Sequence, residues 1–136
     1  MGEAQLDLLA RILARVDEYA RDVTRQQLDT DLDTWLMVSR ALELVGQCCV
    51  DLALELVAAR GLGAPATYRE AFVRLAQAGV LSPEHADTLQ GWAGLRNVLA
   101  HQYTVLDLDR VYEALLEDKT AVRALARAAA DELLGT

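Results

Sequence analysis

A chain of 136 residues is long enough to bury one sizeable core and short for two, so a single domain spanning 1–136 is expected. Apolar residues fill 53% of it while aromatics reach only 5%; 25 leucines and 23 alanines stand against one isoleucine, Ile12, a balance that favours helices over strands and predicts an all-α fold. Thirteen Lys and Arg against 21 Asp and Glu leave a net charge of −8, so broad attraction to nucleic acid or an anionic membrane is absent and any RNA contact must rest on a local basic site.

The first residues, MGEAQLDLL, have neither the basic start nor the long apolar stretch of a secretory signal, and Leu6 stands where a myristoylation signal wants Ser or Thr. Leu6, Leu9, Leu13, Val16, Ala20 and Val23 recur in steps of three and four, which predicts a helix over about residues 3–26 with one stripe toward a partner helix. Asp29, Thr30, Asp31, Asp33 and Thr34 are N-cap residue types and predict a turn. A second helix follows, with Val38, Leu42, Val45, Cys49, Leu52 and Leu56 on its apolar face and Arg40, Glu43, Gln47, Asp51 and Glu55 along its flanks. Cys48 and Cys49 are adjacent there; neighbouring helical side chains diverge by about 100°, so a disulfide between them is strained and Cys49 reads as a small core residue. With no apolar run long enough to span a bilayer, a reducing, cytoplasmic setting is expected.

Gly61, Gly63 and Pro65 end that helix. Thr67 and Glu70 have the spacing of a capping box and open a short helix, TYREAFVRLAQA, closed by Gly79. Ser82 ahead of Pro83 and Glu84 is an N-cap with proline in the first turn, and predicts a helix reaching roughly residue 100. Asp107 caps a further helix whose apolar face is Leu108, Val111, Tyr112 and Leu115. Glu117, Asp118, Lys119 and Thr120 cross the apolar seam, so a kink or break is expected before the Ala-rich terminal helix.

The helix opened by Ser82 carries the chemistry. Leu89, Trp92, Leu95 and Leu99 form its apolar stripe, and Arg96 sits at the edge, four residues past Trp92. A guanidinium beside an apolar seam needs a carboxylate, a phosphate or a water-filled groove, or else lies along Trp92 and reaches solvent. Asn97 and His101, at i and i+4, share a face, whereas on an unbroken helix His101 stands about 140° around from Arg96. Arg96 and His101 therefore meet only if the helix ends near His101 and swings the histidine back, or if they face each other across a two-fold interface. No set of His, Cys and acidic residues has metal-ligand spacing, and Gly61 and Gly63 lack the lysine and strand of a phosphate loop. His85 reads as surface filler, Arg40 with Glu43 as a local ion pair, Arg69 and Arg74 as helix-surface arginines, and Trp35 and Tyr112 as core or interface aromatics.

The octet RNVLAHQY, Arg96 to Tyr103, resembles the pattern Arg, four residues, His, one residue, Tyr of HepT-like toxins, a branch of the HEPN-domain ribonucleases. The resemblance covers most of the chain: a long second helix, a Thr-capped short helix after a Gly/Pro turn, a Ser-Pro-Glu start, and GLRNVLAHQY followed by DLDRVYEAL. It implies a HEPN-type helical bundle that forms a homodimer with its two motifs at the interface. It also implies a metal-independent endoribonuclease with no cofactor, acting on RNA as the toxin of a type VII toxin–antitoxin pair. Under that resemblance Arg96 holds the scissile phosphate and stabilises its developing charge. His101 becomes general acid or base on the attacking 2′-hydroxyl or the leaving oxygen, and Asn97 orients His101 or the phosphate. Tyr103 accepts AMP from a partner nucleotidyltransferase antitoxin. Two other readings compete: a non-catalytic helical binding module that pairs with the nucleotidyltransferase, and a four-helix adaptor in which Arg96 pairs with an acidic side chain. The surroundings of Arg96 discriminate between them.

Overall fold

The computed structural model describes residues 2–101 and 107–135. Among them are seven helices and no strand: α1 (Glu3–Asp22), α2 (Arg25–Thr30), α3 (Leu32–Ala59), α4 (Tyr68–Gln77), α5 (Pro83–His101), α6 (Leu108–Leu116) and α7 (Thr120–Leu133). The axis of the bundle is α3, which packs against each of the other six and most extensively against α5. Val38, Leu42, Val45, Cys49, Leu52 and Leu56, the apolar stripe of α3, are all fully buried. Leu9, Val16, Phe72, Leu75, Leu89, Leu115, Val122 and Leu125 close around them into one contiguous core. Each large apolar side chain so withdrawn from water contributes on the order of 1.5–3 kcal/mol.

The first apolar pattern breaks earlier than its periodicity predicts. Helix α1 stops at Asp22, Val23 turns to extended backbone, and Thr24 caps a new helix. Its hydroxyl accepts from the Gln27 backbone N–H at 3.2 Å, and the Gln27 side chain accepts from the Thr24 backbone N–H at 2.8 Å. This reciprocal cap satisfies two otherwise open donors and turns the chain, so that Leu28 enters the core from α2. Asp31 then caps α3, its carboxylate accepting from the Asp33 N–H and the Thr34 hydroxyl.

Helix α3 ends as the sequence predicts. Gly61, at φ 66°, takes the left-handed step that a side chain resists, and the Gly61 and Leu62 N–H groups reach back to the Ala58 and Val57 carbonyls. Thr67 caps α4 through the Glu70 N–H, but the Glu70 carboxylate passes the cap and accepts from the Ala66 N–H at 2.7 Å. That bond holds the Glu70 carboxyl below the usual carboxylate range. Arg74 is tied down rather than free on the surface, donating to the Leu62 carbonyl and to Glu70.

Ser82 caps α5 through the His85 N–H, and Asp107 caps α6 through those of Asp109 and Arg110. The break expected across 117–120 is present, and buried Lys119 fills it. Its ammonium donates to the Leu115 and Glu117 carbonyls and lies 5.6 Å from the centroid of the Trp92 ring. Burial lowers its pKa from the ordinary lysine value. Cys48 is buried along with Cys49 and both are free; burial pushes the Cys48 thiol up to about 11 and raises Cys49 as well, so neither is a ready thiolate. No described helix is long and apolar enough to cross a membrane.

Candidate active site

Leu89, Trp92, Ala93 and Leu95 seat α5 in the core, with Leu99, last of the stripe, half-buried. Where α5 crosses α3 the two backbones come close because residue 46 is glycine: a Cβ there would stand 2.6 Å from the Trp92 carbonyl oxygen and 2.7 Å from Arg96 Cβ. The stem of Arg96 is therefore pressed against the α3 backbone. Its half-buried guanidinium donates from Nη1 to Gln47 Oε1 at 3.0 Å, and Gln47 Nε2 donates in turn to Asp51 Oδ1 at 2.9 Å. Arg96 Nε is buried with no hydrogen-bond partner, and the guanidinium forms no ion pair among the described residues. Arg96 thus ends on an amide, not on the carboxylate that an adaptor role calls for. A cation held by a neutral group keeps its charge for an anion.

Asn97 is half-buried, and His101, the last residue of α5, is exposed. Helix α5 ends at His101, as expected, but His101 is itself its last helical residue and keeps its place on the helix. Five steps of 100° leave His101 about 140° around from Arg96, so one chain does not bring the two together on a face. His101 instead continues the series Gly91, Gly94, Val98 at alternating spacings of three and four. Among the described residues that side of α5 is open: outside the helix's own backbone, a Cβ at either glycine would meet nothing within 4 Å. A cavity of about 330 Å³ lies there, lined by both glycines, Val98 and the start of α6 at Asp107 and Arg110. Tyr103 lies outside the described residues.

A larger groove, about 710 Å³, runs between α1 and α3 over Leu8, Ile12, Leu36, Met37 and Leu44. No residue of α5 lines it, and its three arginines pair locally, Arg11 with Asp7, Arg15 with Glu18 and Arg40 with Glu43. It is an apolar surface feature with no acid–base group near Arg96. Among the described residues no group of three or more His, Cys, Asp or Glu is placed to hold a metal ion. The residues that sequence reasoning missed are Gln47 and Asp51. Their i, i+4 amide–carboxylate spacing was visible, but nothing local says that α5 lies across it.

Residues 9–129 match the family described as Ribonuclease HepT-like. The tRNA nuclease HepT of Aphanizomenon flos-aquae (strain 2012/KM1/D3) is 27% identical over 113 residues, 83% of this chain and 76% of that protein. The mRNA nuclease HepT of Shewanella oneidensis is 28% identical over 113 residues, 81% of this chain and 84% of that protein. The tri-AMPylated HEPN toxin of Shewanella oneidensis, solved in complex with an MNT antitoxin, superposes with a TM-score of 0.80 at 24% identity, over 92% of each chain. The all-α bundle is the HEPN fold, and the chain belongs to the HepT-like ribonuclease family.

Proposed function

We propose that this chain is the toxin of a type VII toxin–antitoxin pair: a homodimeric, metal-independent endoribonuclease of the cytoplasm, silenced when a nucleotidyltransferase antitoxin attaches AMP to Tyr103. The observation that carries the reading is Arg96, a half-buried cation gripped at stem and head yet without a counter-ion among the described residues, on the helix that ends in exposed His101. Relatives named as tRNA and mRNA nucleases support RNA as the substrate, and the AMPylated HEPN toxin with its MNT antitoxin supports the mode of control. A half-buried guanidinium without a counter-ion is costly to keep, which favours an enzyme over a non-catalytic binding module.

In the reaction Arg96 binds the scissile phosphate and stabilises the charge gathering on its oxygens. His101 takes the proton of the attacking 2′-hydroxyl or hands one to the departing 5′-oxygen, while Asn97 orients the histidine or the phosphate. The bond from the 2′-oxygen to phosphorus forms as the bond to the 5′-oxygen breaks, and the proton lost by the 2′-hydroxyl is matched by one gained at the 5′-oxygen, from the histidine or from water, so atoms and charge balance. The angular separation of Arg96 and His101 supports a composite site, in which each phosphate meets the arginine of one subunit and the histidine of the other. The open Gly91, Gly94, Val98 face of α5 supports close approach of a second α5. Two copies at −8 each repel RNA overall, so binding rests on the local cations of the site and is weak and salt-sensitive. Labelled RNA incubated with the protein in EDTA should be cut, and His101→Ala should abolish the cut; cleavage that survives the substitution would overturn the reading.

A further inference from the structure

We infer that Gln47, steadied by Asp51, is a positioning residue that sets the guanidinium of Arg96, an inference that rests on Arg96 being the phosphate-binding cation. A guanidinium only donates and a carboxylate only accepts, so a single orientation of the intervening amide serves both neighbours. The Gln47 amide has that orientation, with Oε1 toward Arg96 at 3.0 Å and Nε2 toward Asp51 at 2.9 Å. It is pinned from both sides. Gly46, the preceding residue of α3, leaves room for the Arg96 stem, since a Cβ there would stand 2.7 Å from Arg96 Cβ and 3.4 Å from its Cγ, so consecutive residues of one helix seat the arginine at its stem and at its tip.

The chemistry of residue 47 fits the task. A glutamate there would neutralise Arg96 and repel Asp51, whereas the amide fixes direction and leaves the cation its charge. Asp51 keeps its negative charge one group removed and strengthens the acceptor by polarising the amide. Gln47 occupies one of five N–H donors of the guanidinium, leaving donors for the oxygens of a phosphate. Placement of this kind governs rate more than binding, since a displaced charge still attracts a phosphate but no longer meets the oxygens that gain charge in the transition state.

The test is a variant series read by kcat and KM on labelled RNA, with the thermal midpoint measured in parallel. Gln47→Ala should lower kcat on the order of 10- to 100-fold with KM and midpoint nearly unchanged. Gln47→Glu, which keeps the shape, should instead raise KM because Arg96 is neutralised. Asp51→Asn should lower kcat less than Gln47→Ala, and should add nothing in the double variant, because Asp51 acts through Gln47. If Gln47→Ala does not fold, the two shape-preserving variants carry the same test. Wild-type kinetics in Gln47→Glu and Asp51→Asn beside an inactive Arg96→Ala would overturn the positioning role and leave Arg96 in place. A full additive loss in the double variant would overturn the relay through Gln47. Wild-type cleavage by Arg96→Ala would overturn the site reading and the inference with it.

Discussion

Gly46 exerts its effect through what it lacks. A methyl at that position would face the Trp92 backbone oxygen at 2.6 Å and Arg96 Cβ at 2.7 Å, and a backbone oxygen retreats only if α5 moves. Gly46→Ala should therefore destabilise the fold by about 1–3 kcal/mol, as overpacking does. It should also cut RNA cleavage more than its unfolded fraction explains, which thermal denaturation and assays well below the midpoint will check. Tyr103 stands two residues past His101 in the sequence. Under the proposed function, an attached nucleotide there would bring negative charge into competition with the substrate phosphate for Arg96. With a nucleotidyltransferase partner, ATP and magnesium, the wild-type protein should gain AMP on Tyr103 and stop cleaving, while Tyr103→Phe gains none and stays active. Mass spectrometry locating the added mass on another residue would contradict this.

Among the elements, α5 is secured from two directions: Ser82 caps its start, and Lys119, at the join of α6 and α7, sits over Trp92 one turn before Arg96. The native state disfavours the charge on Lys119, chiefly through burial. Between that depressed value and the ordinary 10.5 of lysine the unfolded chain binds more protons than the native one, so this group makes stability rise with pH in that window. The penalty is complete below the window and relieved above it. The difference in urea midpoint between wild type and Lys119→Met should move in favour of wild type as pH climbs toward 10.5. A difference independent of pH would show that Lys119 carries no such penalty. The helix ends show how far local pattern reaches. Ser82, Asp107 and the Gly61 stop are all legible, because a cap depends on residues a turn apart. The split between α1 and α2 was hidden because Val23 continues the apolar spacing while Thr24 and Gln27 form a cap that outcompetes it.

For the whole molecule, a site shared between subunits makes a distinctive prediction about mixtures. Arg96→Ala and His101→Ala should each be inactive alone. Co-expressed in equal amounts, half of the dimers are mixed and each mixed dimer holds one intact site of two, so about a quarter of wild-type activity should return. A site contained in one chain would return none. Sedimentation of the wild-type protein should give twice the monomer mass of 14.9 kDa.

The fold class, the stripe of α3 and most helix boundaries were determined by the sequence alone, since each depends on residues three or four apart: all six apolar positions read along Val38 to Leu56 are buried. The octet RNVLAHQY was equally legible, because its residues lie along one stretch of chain. What Arg96 binds was not. Gln47 lies 49 positions away, on a flank whose polar spacing reads as solvated, and becomes a seat for the arginine only when α5 folds across α3. Tertiary packing decides this because the crossing depends on the missing side chain of Gly46, a property of two backbones in contact that no helical period records.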